Sequence, residues 1–220
     1  MATIIRGTVP ATEFALAHTL ETVPAAEFEC ERIVKSGEQS IMPLLWVRGT
    51  DPETIEDALA ADPSVDEVTR LSTFDDEYLY EMEWIDHVRL LLHMLTNGEA
   101  TILDAYGRDG RWELRVLYPN RDHFSTTHEF AEDHGMTFDV ESIRKMDGEP
   151  AGRFGLTDDQ YEALVAAADA GYYEVPREVT LEELADELDV SHQALSEQLR
   201  RGTGALLEDT LLVGMAGEGN

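Results

Sequence analysis

The sequence predicts an α+β chain: two tandem ferredoxin-like β-α-β-β-α-β units, followed by an all-α region. Three observations predict it. Residues 1–146 alternate short segments of two-residue apolar period with segments of helical period, in an order that runs through β-α-β-β-α-β twice. The stretch 147–155, ending in AGRFG, gathers glycines, a proline and charge with little apolar content, and reads as a linker. From 156 to 220 only helical patterns remain.

In the first unit, residues 3–9 read as extended and 12–21 as apolar-periodic, with Phe14, Leu16, Ala17 and Leu20. Strands follow at 26–35, with apolar Phe28, Cys30 and Ile33, and at 41–48. Asp51-Pro52 supplies an N-cap and then proline at the first helical position, opening a helix over 52–60. A strand at 65–73 closes the unit. In the second unit, residues 76–84 set Tyr78, Tyr80, Met82 and Trp84 against acids, as a half-buried strand does. A helix over 85–96 stops at Asn97-Gly98. Strands at 99–106 and 111–118 flank Asp109-Gly110, a hairpin turn. A helix over 122–134 ends at Gly135, and a strand at 137–145 completes the unit. The two halves share negligible identity, so the duplication rests on element order.

Forty-six acidic residues face sixteen basic ones, for a net charge of −30, and the acids are dispersed. Only Lys35 and Lys145 are lysines. Such a chain repels itself unless salt screens it, and the Debye length falls to ~3 Å at 1 M ionic strength. The expectation is a protein of a salt-rich cytoplasm. Cys30 is the only cysteine, which excludes an intrachain disulfide framework and a cysteine-rich metal site. The first residues lack the apolar stretch of a signal peptide, and no window resembles a membrane span.

Past the linker, Thr157 and Gln160 form a capping box that opens a helix with Tyr161, Leu164, Val165 and Ala168, ended by Gly171. Thr180 and Glu183 form a second box, starting a short helix, and Ser191 can cap a third. Leu206, Leu207, Leu211 and Leu212 carry an apolar face into a last helix. Two short helices with a tight turn, and small Ala185 where they approach, make a helix-turn-helix pattern. Leu184, Ala185, Leu188, Val190, Leu195 and Leu199 are its expected core. Ser191, His192, Gln193, Ser196 and Arg200 are left on the outer face. In this motif the first residues of the second helix meet base edges in the major groove. Gln193 suits adenine, and His192 suits an acceptor on a base or phosphate. Ser191 and the adjacent backbone N–H groups suit phosphate at a helix start, Arg200 and Arg201 suit the backbone, and Thr180 is counted with them among the DNA-binding residues. An ordinary helical hairpin would show the same caps and leucines. Only Arg177, Arg200 and Arg201 are basic between 156 and 213, against fourteen acids, which at low salt makes a poor DNA surface.

The run LTDDQYEALVAAADAGYYEVPREVTLEELADELDVSHQALSEQLRRG resembles the bacterio-opsin activator (Bat) type helix-turn-helix of haloarchaea. The resemblance is carried by Gln160, Ala163, Leu164, Gly171, Tyr172, Pro176, Arg177, Leu195, Ser196, Leu199, Arg200 and Arg201. PLLWVRG, LYEMEW and RWELRVLYPNRD resemble the domain that often precedes it. Asp189 stands where a turn glycine is customary, and Gly202-Thr203-Gly204 interrupts what is often a continuous helix. The resemblance implies a transcriptional regulator: 1–146 as the Bat-associated regulatory or dimerisation domain, and 156–220 as the domain that binds double-stranded promoter DNA. A homodimer is expected from the mode of action, because paired half-sites multiply specificity.

The rival readings are weaker. His123, His128 and His134 are spaced five and six apart, which is poor for metal ligands on one helix face, so no metal is expected. Cys30 lies on an apolar phase and reads as a small buried hydrophobe. Trp46, Trp84, Trp112, Tyr78, Tyr80 and Tyr118 could line a small-molecule effector pocket between the units, although strand aromatics are more often core. No nucleotide-binding, hydrolase or metalloprotease motif is present, so neither an enzyme nor a cofactor is expected. The remaining alternative is a non-catalytic interaction or ligand-sensing module whose helix-turn-helix no longer reads DNA.

Overall fold

A computed structural model describes residues 1–35, 41–85, 88–146 and 154–210. The chain forms two compact units, Met1–Lys145 and Met146–Asn220. Residues 147–153 of the expected linker, and Leu211 and Leu212 of the expected last helix, lie outside the described residues.

The strands of the first unit are β1 (Ala2–Pro10), β2 (Glu27–Lys35), β3 (Ile41–Arg48), β4 (Val65–Phe74), β5 (Glu77–Trp84), β6 (Thr101–Arg108), β7 (Arg111–Tyr118) and β8 (Asp139–Met146). Its helices are α1 (Ala17–Thr22), α2 (Pro52–Ala61), α3 (Arg89–Thr96) and α4 (Arg121–Asp133). The local signals act as their chemistry dictates. Asp51 caps α2 by accepting from the Thr54 N–H at 3.0 Å, and Asn120 caps α4 through the N–H groups of Asp122 and His123. Asp109 and Gly110 both take positive φ, 49° and 71°, as a two-residue hairpin between β6 and β7 requires.

The expected pair of tandem ferredoxin-like units is corrected by the pairing. All eight strands form one continuous sheet in the order β4-β5-β3-β2-β6-β7-β1-β8. β1 leaves its sequence neighbours and runs antiparallel to β7, from Thr3 opposite Tyr118 to Pro10 opposite Arg111. β5 takes a place between β3 and β4. The first strand of each half is thus housed in the other half, and β2 joins β6 through Phe28 and Glu29. Element order does not distinguish this exchange from two self-contained units. Both offer β1 and β5 an antiparallel neighbour of matching apolar phase: Ile5 opposite Val116, and Tyr80 opposite Leu45.

Cross-strand partners share a face, so these pairs stack into one apolar layer against the helices. Its centre is Phe14 between Trp84 and Trp112, with ring centroids at 5.8 and 5.2 Å. Each such side chain contributes about 1.5–3 kcal/mol by leaving water. Tyr78, Tyr80 and Tyr118 are buried in the same core, while Trp46 lies half-buried on the opposite face beside Phe74. The six aromatics therefore do not converge on one pocket.

A buried carboxylate ties α1 to the turn after α2. Asp62 Oδ2 accepts from the Thr19 N–H and hydroxyl at 2.8 and 2.7 Å. Its Oδ1 accepts from the Ser64 N–H and hydroxyl at 3.0 and 2.6 Å. Burial pushes the Asp62 pKa up, but the four donated hydrogen bonds outweigh it and hold the pKa below the usual carboxylate value.

The second unit has α5 (Asp158–Asp169), α6 (Leu181–Glu187) and α7 (His192–Thr210). Both capping boxes form, at Thr157 with Gln160 and at Thr180 with Glu183. Gly202 and Gly204 do not interrupt α7, which runs unbroken through them. The reason for Gly202 is proximity. A Cβ there would meet Leu164 Cδ1 of α5 at 2.8 Å and Gln160 Cβ at 3.3 Å, whereas at Gly204 it would meet nothing within 4 Å. Among the described residues no helix is long and apolar enough to cross a membrane.

Candidate nucleic-acid interface

The core of the second unit is built from Ala163, Ala167, Leu184, Ala185, Leu195 and Leu199. Leu188, expected in that core, is partly buried against it. Val190, also expected there, is 36% exposed and is corrected to the surface. It sits in the turn, where its N–H reaches back to the Ala185 carbonyl at 3.0 Å and its side chain points outward.

That turn is a left-handed one. Asp189 has φ 52°, so the position calls for the conformation that glycine adopts at least cost, and aspartate adopts it here. Leu188 caps α6, and Ser191 begins the next helix by accepting from the Ala194 N–H at 3.1 Å. The Leu195 N–H bonds to the Ser191 carbonyl at 3.0 Å. The burial of Leu195 and Leu199 at a four-residue interval then sets the rotation of α7.

Ser191, His192, Gln193, Arg200 and Arg201 are exposed, and Ser196 is half-buried. A hollow of about 450 Å³ is lined by His192, Gln193, Ser196, Glu197, Arg200 and Arg201. Five of the seven residues singled out for DNA contact therefore border one space. Ser191 stands at the start of the same helix. Thr180 stands apart, at the start of α6, and its hydroxyl is committed: it donates to Glu183 Oε2 at 2.7 Å and accepts from the Glu183 N–H. Glu183 Oε2 also accepts from the Thr180 N–H at 2.8 Å, and this bond first, then the one from the hydroxyl, hold the Glu183 carboxyl below its ordinary pKa. A phosphate at Thr180 would meet that charge.

Two features went unread in the sequence. Glu197 enters the face and binds Arg201 Nη2 at 2.6 Å, so Arg201 is tethered while Arg200 has no carboxylate partner among the described residues. The i, i+4 spacing of Glu197 and Arg201 was the signal for this pair. Arg177 lies over the Tyr172 ring, 4.5 Å from its centroid, in the exposed loop before α6.

Elsewhere, Cys30 is half-buried on β2, and burial pushes its thiol up to about 12, the opposite of a reactive thiolate. His93 stacks on Phe130 at 3.9 Å, and His128 lies beside Glu132. Among the described residues no group of three or more His, Cys, Asp or Glu could hold a metal ion.

Residues 156–208 match the family described as HTH DNA binding domain. Residues 8–158, well over half of the chain, match the family described as GAF and HTH_10 associated domain. No curated protein matches the chain significantly.

Proposed function

The chain belongs to the Bat-type family, in which the GAF and HTH_10 associated domain is joined to an HTH DNA binding domain, and from that premise we propose that it is a sequence-specific transcription regulator of a halophilic cell. The observation that carries the reading is the outer face of α7. His192, Gln193 and Ser196, at the start of α7 after the turn at Asp189, border one space with Arg200, two turns further along the helix, and the start of a recognition helix is the part that enters the major groove. Gln193 reads a base, Ser191 and His192 meet the backbone or a base at the helix start, and Arg200 holds a phosphate. The first unit modulates this reading.

High salt belongs to the proposal. With a net charge of −30, the chain approaches DNA only where repulsion is screened. The experiment is selection of DNA sequences by the full chain in molar potassium chloride, followed by binding curves for Gln193→Ala and Arg200→Ala. Gln193→Ala is expected to lose about 1–3 kcal/mol of discrimination at one base position. Arg200→Ala is expected to weaken all sequences alike and reduce the salt slope by about one. Variants that both bind like the wild type would remove the recognition helix from the reading. If the wild type selects no sequence, a module that has ceased to read DNA takes its place.

A further inference from the structure

We propose that Glu197, held in place by Arg201, selects a cytosine in the DNA site through the exocyclic amino group that this base turns to the major groove. This rests on the DNA-binding reading of α7 and adds to it a base that the helix selects.

The rotation of α7 is set by Leu195 and Leu199, both buried. At about 100° per residue, the direction opposite the bisector of these two leucines falls on Glu197. Gln193 lies about 40° round the helix from Glu197, and Arg200 about 60° round on the same side. Glu197 is exposed, its side chain at 55%, and it is the one acidic residue in the wall of the hollow that Gln193, Ser196 and Arg200 also line. Four residues of helix rise about 6 Å, a little under two base-pair steps of about 3.4 Å. Glu197 therefore meets a base edge about one or two pairs from the edge met by Gln193.

A lone carboxylate on this face would oppose binding, because it repels phosphate. Two features turn it into a reader. Arg201, one turn further on, balances its charge, with Nη2 at 2.6 Å from Oε1. That pair occupies Oε1, and Oε2 has no partner among the described residues. An ionised carboxylate oxygen only accepts hydrogen bonds. In the major groove cytosine offers its N4 amino donor and no acceptor, whereas guanine and thymine present O6, N7 or O4 acceptors, and adenine sets N7 beside its N6 amino group. A fixed carboxylate oxygen thus favours cytosine and is repelled by guanine and thymine. Arg201, committed to Glu197, is a positioning residue in this arrangement, while Arg200 remains available for phosphate.

The test is selection of DNA sequences by the full chain in molar potassium chloride, repeated with Glu197→Ala, Glu197→Gln and Arg201→Ala. All three substitutions are at exposed positions and are expected to keep the far-UV circular dichroism spectrum. The wild type is expected to select a site with a fixed cytosine within about two base pairs of the position that Gln193→Ala relaxes. Glu197→Ala is expected to lose about tenfold of discrimination at that cytosine and to keep the rest of the site. Glu197→Gln moves the preference there toward adenine, whose N6 and N7 pair with an amide. Arg201→Ala lowers discrimination at the same base pair, whereas loss of a phosphate contact would weaken all sequences alike and reduce the salt slope by about one. The chemical probe is the selected site carrying N4-methylcytosine at that one position, where the methyl group replaces the amino hydrogen facing the groove. It is expected to weaken the wild type about tenfold and to leave Glu197→Ala unchanged. The same site selected by the wild type and by Glu197→Ala overturns the inference, leaves the DNA-binding reading intact, and reduces Glu197 and Arg201 to a surface pair that supports the helix. Full wild-type affinity for the N4-methylcytosine site overturns it too. A wild type that selects no sequence overturns the DNA-binding reading, and this inference with it.

Discussion

Replacing Gly204 and Gly202 by alanine in turn separates two roles that one residue type plays within a single helix. Alanine is favoured over glycine inside a helix by about 0.8–1 kcal/mol. At Gly204 a Cβ meets nothing within 4 Å, so the full gain is expected. For a unit of this size that is a rise of roughly 4–8 °C in its melting temperature. At Gly202 the same gain is set against a Cβ placed 2.8 Å from Leu164 Cδ1 and 3.3 Å from Gln160 Cβ. Overpacking costs about 1–3 kcal/mol, so Gly202→Ala is expected to be neutral to destabilising by about 2 kcal/mol. The assay is urea unfolding of the full chain at constant salt. Trp46, Trp84 and Trp112 all lie in the first unit, so tryptophan fluorescence follows that unit alone. Helical circular dichroism sees both units, and the transition that fluorescence misses belongs to the second. Equal stabilisation by both substitutions would refute the close approach of α7 to α5.

Two further predictions concern single side chains. Asp62→Ala strands four buried donors and is expected to cost about 3–5 kcal/mol, read as a lowered urea midpoint in tryptophan fluorescence. Because the folded pKa of Asp62 is depressed, its contribution is complete above the unfolded value of about 3.9 and is lost as pH falls through the folded value, so the Asp62→Ala deficit should shrink in acid. Asp189→Gly relieves a left-handed aspartate and is expected to stabilise the second unit by about 0.5–1 kcal/mol, whereas Asp189→Val should cost about 1–2 kcal/mol. Melting curves of the two variants with the sign reversed would show that the turn has another shape.

Local signals carried most of the elements. Asp51-Pro52, Asp109-Gly110, Thr157 with Gln160 and Thr180 with Glu183 each satisfy or bend backbone within a few residues, so the chain declares them wherever it goes. Strand pairing is not local. Nothing in the alternation of Tyr78, Tyr80, Met82 and Trp84 says that β3 and β4 will be their neighbours, and the exchange of β1 and β5 was illegible for that reason. At the candidate interface, leucine spacing placed Leu195 and Leu199 inward and left His192, Gln193 and Arg200 outside. Val190 was misjudged because a turn residue obeys no helical period. Gly202 was misjudged because a glycine that breaks a helix and one that lets two helices touch look alike without the neighbour.

The exchanged strands also set a timetable for synthesis. β1 is made first, but its partner β7 ends at Tyr118. At roughly 5–20 residues per second the amino-terminal strand waits several seconds for its neighbour to be translated. β3 likewise lacks one flank until β5 has been made. No fragment ending before residue 118 holds a finished edge on β1, so a nascent first half is an open apolar ribbon. Contacts spanning more than a hundred residues also make folding slow. The first unit is therefore expected to tolerate interrupted translation less well than a pair of separable repeats would. Cutting it at its apparent midpoint, between β4 and β5, would yield two pieces that each lack a central strand.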